Sequence, residues 1–434
     1  MQSMFESIRT IMGRVAIGFI VTLCAACGFT QSAAAEISLR PGFQAQVFAE
    51  GVGSARHIVV NENGDVYVAL RRQTNGSGIV ALRDTTGDGE ADVIKYFGDL
   101  RGTGIDIFDG YLYFGADDRV VRFKLTPGEL VPKSKAEVIV GGFPRQRQHA
   151  AKSIAFDGKG GLYVNVGAPS NACQEKARTR RSPGLAPCPQ LERQAAIWKF
   201  NARIPGQSQA DGTRYAHGIR NAVALDWNPV DDALYFAQHG RDQLGYLFGT
   251  LYNDEQNAAL PGEEIHKARP GKSHGWPYSY YDPIQSARML APEYGGDGKL
   301  VLTSGTTVND GVENDHASPV TALPGHWAPN DMLFYQGRQF PAEYSRGAFV
   351  AFHGSWNRAP LPQRGYNVTF VPMVDGRSLA EPFVFADGFK GADPLASPRD
   401  AKYRPMGLAQ TPDGALMIAD SVQGRIWRIT YAAE

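Results

Sequence analysis

The 434-residue chain lacks a surplus of either charge: 44 lysines and arginines stand against 44 aspartates and glutamates. A nucleic-acid partner or a polybasic membrane contact calls for a marked excess of one sign, so neither is expected. Cysteine is scarce, four residues in all, and no Cys-x-x-Cys-His run occurs, which excludes covalently attached haem. Beyond residue 35 no apolar stretch is long enough to cross a bilayer. What the chain has in quantity is glycine, 49, and proline, 27, a composition suited to many tight turns and little helix.

The first residues read as a targeting segment. Arg9 and Arg14 precede an apolar run from Val15 to Ala26, and Ala33-Ala34-Ala35 offers a small-residue cleavage site, so residues 1–35 are expected to be a signal peptide. Cys27 after Ala25-Ala26 faintly matches a lipoprotein signal, but Cys24 stands where such a signal has leucine, so cleavage after Ala35 is favoured. The expected location is the periplasm or the exterior. Only Cys173 and Cys188 then remain, in one loop rich in Pro, Arg and Ser. An oxidising compartment predicts a disulfide between them, closing a loop of roughly 15 residues worth about 3 kcal/mol; two free thiols are the other reading.

From residue 36 to 434 one short phrase recurs: a turn residue, a small or apolar residue, an aromatic, then aliphatics. It appears around Tyr67, Tyr113, Tyr163, Tyr235, Phe349 and Met417. The first intervals are close to the period of a propeller blade, and the longer ones read as the same unit carrying insertions. Each copy has the β-branched and aromatic content of a strand. Six copies predict an all-β fold, a single six-bladed β-propeller. The stretch from about 280 to 320, rich in Gly, Asp and Ser, is expected to be a long inserted loop over one face.

Between two strand phrases, Asp84, Asp88 and Asp92 occupy the first, fifth and ninth positions of a segment with Gly89 at the sixth, much like a calcium loop. Thr86 and Lys95 break the pattern, so a metal loop and a solvated hairpin turn stay open as alternatives.

Blades are related by rotation about a channel, so residues ahead of equivalent strands converge on the axis. Those residues include Arg56-His57, Thr103, His149 with Lys152, Arg220-Asn221, His326, and Lys402 with Arg404. Several cations without matching carboxylates repel one another and are costly to desolvate, a conflict that an anionic ligand resolves. A single Arg or His before a strand is more often structural; the ring of them points to a site.

At these residues the chain resembles the soluble quinoprotein glucose and sorbosone dehydrogenases, propeller enzymes that use pyrroloquinoline quinone (PQQ), and is closest to the sorbosone-dehydrogenase-like branch. The stretches that carry the likeness include His217-Gly218-Ile219-Arg220-Asn221, His239-Gly240-Arg241-Asp242, Gly275-Trp276-Pro277, His353-Gly354-Ser355-Trp356-Asn357-Arg358 and Tyr403-Arg404-Pro405. The resemblance implies a PQQ- and Ca²⁺-dependent dehydrogenase of aldoses or related sugar aldehydes, with an external quinone or cytochrome as electron acceptor. It puts Arg220 and Asn221 beside the quinone oxygens, Arg404 and Lys402 on cofactor carboxylates, His326 and Thr103 on the cofactor rim, and Arg358 near the place of a cofactor-binding lysine. It assigns the Ca²⁺ to backbone carbonyls of Gly240 and Arg241, with Glu263 and Glu264 in a second calcium region. His149 matches the catalytic base, although Gln148 and Ala168 stand where the glucose enzymes have aspartates; Asn171 or a group from the long loop could orient it instead.

Two other functions fit a propeller. A metal-dependent lactonase needs Glu, Asp and Asn converging on one cation, whereas the converging positions here are mostly basic. A non-catalytic scaffold for a protein or an acidic ligand would share the basic ring.

Overall fold

In the computed structural model, residues 37–303, 307–308, 312–313 and 316–432 are described; the expected leader, Cys27 and the cleavage after Ala35 lie outside them. The described strands form six blades, antiparallel except where Gln207–Ser208 adds a parallel edge to the second. The first consists of Ala55–Val60, Val66–Thr74, Ser77–Arg83 and Val93–Phe97. The later blades open with Gly102–Phe108, Ile154–Phe156, Ala224–Asn228, Pro329–Phe334 and Pro405–Gln410. These six opening strands touch one another in sequence, and the last returns to the first, so they form a closed ring about the axis.

Closure uses the two ends of the domain. Phe43–Ala49 pairs antiparallel with Ile426–Tyr431 and completes the sixth blade. An N-terminal strand bonded to a C-terminal one leaves no open sheet edge where the ring meets itself.

The recurring phrase is the second strand of each blade. Its central residues Tyr67, Tyr113, Tyr163, Tyr235, Phe349 and Met417 are all buried, and each lies in the apolar layer between its own blade and a neighbour. Tyrosine is tolerated there because its hydroxyl finds a partner: Tyr67 donates to the Leu130 carbonyl and Tyr113 to that of Ala202, both at 2.9 Å. Truncating one such aromatic would cost about 3–5 kcal/mol.

Two insertions depart from the repeat. The segment after the fourth blade's second strand carries short helices at Leu244–Leu247 and Asp254–Ala259. The stretch expected to be a long loop over 280–320 contains strand pairs instead, Ser279–Asp282 with Ala287–Leu290 and Thr307–Val308 with Val312–Glu313. Residues 276–294 share a small apolar core with the loop closed by the Cys173–Cys188 disulfide, the pairing expected from the sequence. Glycine- and aspartate-rich composition suggested a loop because the strands of these hairpins are only two to four residues long. No helix among the described residues is long and apolar enough to cross a membrane.

Candidate active site

The ring's channel opens into a cavity of about 800 Å³. Arg56 comes from the first blade, Thr103 from the second, Asn221 from the fourth and Asn330 from the fifth, each at or just ahead of its blade's opening strand. His149, on the loop that enters the third blade, and His326, ahead of the fifth, complete the inner wall.

His149 is half-buried, with a φ of 52°, in the left-handed region. Its Nδ1 lies 2.7 Å from the Ala168 carbonyl oxygen, which can only accept, so Nδ1 carries the proton and Nε2 holds the lone pair. The Ala168 amide in turn donates to the Arg220 carbonyl, so main chain, rather than Asn171 or a group from the long loop, fixes the ring. Asn171 is committed elsewhere: it accepts from Arg220 and donates to the Asp242 carbonyl. Gln146 ties the loop down by donating to the carbonyls of Gln148, His149 and Gly167. Burial, and then the Arg220 charge, lower the His149 pKa to about 3, so the imidazole is neutral at physiological pH.

Arg220 is buried against the same wall. Its Nη2 donates to Asp242 Oδ2 at 2.9 Å and to Asn171 Oδ1 at 3.0 Å. Burial alone would raise the Asp242 carboxyl; Arg220, with His326 and Arg178, overcomes this and holds it far below the usual carboxylate range. Asn221 Oδ1 accepts from Asn165, and Thr103 Oγ1 accepts from Arg56 Nε at 3.2 Å. Arg56 is pulled down to about 9 by burial and by the neighbouring Arg71 guanidinium, a direct sign of crowded positive charge. His326 Nε2 donates to the carbonyls of Asn257 and Leu260 at 2.8 and 3.0 Å. Glu263 accepts from the amides of Gly240 and Ala328, and burial raises its pKa to about 7.

Thus His149, Arg220, Asn221, His326, Thr103, Gly240 and Glu263 come together on one wall, while the other residues expected there do not. Arg404 lies behind the wall: its guanidinium donates to the carbonyls of His353 and Gly354 and sits 4.8 Å from the Trp356 ring centroid. Lys402 is exposed, its ammonium 5.5 Å from the Tyr403 ring centroid. Arg358 donates to the carbonyls of Ala258 and Pro362. Blade equivalence locates the strand end but not the face a side chain takes.

Among the metal candidates, Arg241 is ion-paired with Glu293, and Glu264 is bound by Arg288 and His266. Asp84 accepts from the amides of Thr86, Gly87 and Gly89, Asp92 from Thr85, and Asp88 from Glu90, so the segment is a hydrogen-bonded turn in this structure. Among the described residues, no group of three or more His, Cys, Asp or Glu side chains is placed to hold a metal ion.

Sequence reasoning missed the outer wall. Arg71 and Arg72 come from the first blade's hairpin, Arg147 from the His149 loop, and Arg178 from the disulfide-closed loop. Arg178 donates to Asp242, which therefore serves two guanidiniums. The clue was present in the arginine-rich loop between Cys173 and Cys188, which the bridge holds against the propeller.

A six-bladed propeller with a basic cavity and a neutral histidine at its mouth defines the class. The chain belongs to the TrAA12-like family, whose model matches residues 37–432. It is 25% identical over 405 residues to an uncharacterized protein of Borreliella burgdorferi, covering 90% of this chain and 89% of that one. It is 24% identical to the Escherichia coli aldose sugar dehydrogenase YliI over 54% of this chain and 52% of that protein. A pyrroloquinoline quinone-dependent pyranose dehydrogenase of Coprinopsis cinerea is 29% identical over 36% of this chain and 22% of its own length. Among solved structures, a Trichoderma reesei family AA12 protein in a calcium form superposes with a TM-score of 0.71 at 16% identity, over 91% of this chain and 97% of that one. The PQQ domain of the C. cinerea pyranose dehydrogenase, in its holo form, gives 0.67 at 18% identity over 91% and 97%. At these identities the superpositions establish the propeller fold.

Proposed function

We propose that this protein is a PQQ-dependent sugar dehydrogenase that oxidises aldoses or related sugar aldehydes, sorbosone-like ones included, and passes electrons to an external quinone or cytochrome. The observation that carries the reading is a neutral His149, its Nε2 lone pair free of the Ala168 contact, on the wall of a cavity crowded with guanidiniums. The dehydrogenase names borne by the Escherichia coli and Coprinopsis cinerea relatives support it.

The residues present fit the cofactor. Arg56 and Arg220 are both buried in the cavity wall, so a planar polycarboxylate would offset their charge and accept from guanidinium forks. Asn221 and Thr103 add hydrogen-bonding groups at the cavity floor. For Ca²⁺ the donors on offer are main-chain carbonyls at Gly240 and Arg241, a hard-oxygen set of the kind the ion prefers, with Glu263 next to them. Bound PQQ would supply a two-electron acceptor for a hydride from the sugar carbon. His149 Nε2 takes the proton from the hydroxyl on that carbon, and the Ala168 carbonyl stabilises the imidazolium that results. The disulfide agrees with an exported protein.

Reconstitution tests this. Apoprotein given PQQ and Ca²⁺ is expected to show the bound quinone's absorption, which aldoses then reduce; a panel including sorbosone-type aldehydes sorts the substrate class. H149A should keep PQQ affinity and lose turnover by at least about a hundredfold, the scale of a general base. Failure to bind PQQ at micromolar concentration would remove the proposal.

A further inference from the structure

The guanidiniums of the cavity fall into two sets. The deep set is matched to polar partners: Arg220 to Asp242 and Asn171, Arg56 to Thr103. The outer set is not. Arg71, Arg72 and Arg147 are exposed and line the cavity, yet none makes a side-chain hydrogen bond or ion pair with a described residue. Beside them Arg101 pairs with Asp117, and Arg178 shares Asp242 with Arg220. Seven arginines on this wall thus face three carboxylates, Asp117, Asp242 and Glu263. The excess is local, since the chain as a whole carries no net charge.

We infer that the sugar this site takes is itself anionic, an aldose of the uronate class, whose carboxylate is received by Arg71, Arg72 and Arg147. The inference rests on the dehydrogenase reading and names its substrate. A cofactor seated over Arg56 and Arg220 engages the deep set and leaves the outer three to whatever lies above it. Arg147 stands two residues before His149, on a loop that Gln146 pins at three carbonyls. A substrate offering its anomeric hydroxyl to His149 therefore lies against the wall that Arg147 also lines. In a uronate the reacting C1 and the carboxylate-bearing C5 flank the ring oxygen, so one edge of the ring can present the hydroxyl to His149 and the carboxylate to a guanidinium. The C1 hemiacetal would lose a hydride to the quinone and its hydroxyl proton to His149, giving the lactone; the carboxylate takes no part in the redox change. The cavity of about 800 Å³ is at the large end for a ligand site and has room for a monosaccharide over a cofactor.

Matched sugar pairs differing only at C6, galacturonate with galactose and glucuronate with glucose, provide the test. Each would be titrated calorimetrically into apoprotein, and kcat/KM measured after loading with PQQ and Ca²⁺. Exposed charge pairs are individually weak, so three acting together should favour the uronate about tenfold at low salt, and the preference should shrink as salt is added. R147Q and the R71Q/R72Q double variant should bring the acid-to-neutral ratio toward one, and R147K should retain part of it. Equal affinity for acid and neutral sugars overturns the inference. So does a preference that survives the substitutions, or substitutions that alter only the KM for an anionic electron acceptor. Because binding to apoprotein is read without turnover, uronate capture in a protein that never binds PQQ would sink the dehydrogenase reading and leave the anionic-sugar site standing.

Discussion

Two sides of the mouth hold the same side chain in opposite conditions. On the side of blades five and six, Arg404 and Arg358 are buried and spend their donors on main-chain carbonyls of Ala258, His353, Gly354 and Pro362. On the side of blades one to three, Arg71, Arg72 and Arg147 stand in the cavity wall with no hydrogen-bonded or ion-paired partner among the described residues. A guanidinium set behind the cavity wall with its donors on main-chain carbonyls is structural wherever it sits in the repeat. One that faces a cavity unpaired can recognise a ligand. The count of arginines near a pore says little until each one's donors are traced.

Exchanging single residues across this divide gives the largest contrast. R404A removes the donors to two buried carbonyls and the cation over Trp356, and should destabilise the fold by about 2–4 kcal/mol. R71A deletes an exposed, unpaired charge and should change stability by no more than about 0.5 kcal/mol while weakening binding of anions. Thermal melts beside PQQ titrations would show it: stability loss without R404A's expected size, or a large melt shift for R71A, would erase the distinction between the two sides.

The proposed base gives the next effect. Gly167 lies so close to His149 that a Cβ built on it would come within 2.6 Å of the histidine Cβ and 2.7 Å of Asn221 Oδ1. G167A must therefore displace the ring or the amide, and even a small misplacement of a catalytic group is costly. The expected outcome is a fall in kcat of about tenfold with the circular dichroism of the fold kept. An unchanged kcat would mean that the Ala168 contact does not fix the base.

The fold was legible because its signal is repeated: one buried aromatic or apolar residue per second strand, six times, is set by the blade-to-blade layer and hardly depends on context. The inner wall was legible for the same reason, since Arg220, Asn221, Thr103 and His149 precede equivalent strands. What stayed hidden depends on side-chain direction and on partners far away in sequence. Arg404 and Lys402 follow the repeat but point behind or outside the wall. Glu264 looked like a metal ligand until the inserted hairpin supplied Arg288. The orienting partner of His149 is a backbone carbonyl, which every residue possesses and no sequence can single out.

The channel beneath the cavity permits a smaller and more delicate comparison, between the arginine-lined mouth and the carboxylates below it. Asp106, on the second blade's opening strand, accepts from the Ile107 amide, and burial raises its pKa from 3.8 to about 7. Asp226 is likewise raised to about 7, again by burial first, with Asp106 contributing repulsion. A carboxyl whose folded pKa lies above its unfolded value contributes stability that is complete below about pH 4 and is lost as pH rises through about 7. D106N keeps an acceptor for Ile107 and cannot ionise, so it removes that dependence. Because Asp106 is only half-buried, solvent in the channel screens the effect, and the expected size is about 1 kcal/mol rather than the several that the full shift implies. The variant should match the parent near pH 4 and exceed its stability at pH 8. Buried histidines titrate in the opposite sense, His57 and His239 each lowered to about 4 by burial, but they are common to both proteins and cancel in the difference. Denaturant midpoints at the two pH values settle it: a difference that is constant with pH would mean that Asp106 is already ionised at neutral pH, its charge carried by the cations of the mouth above.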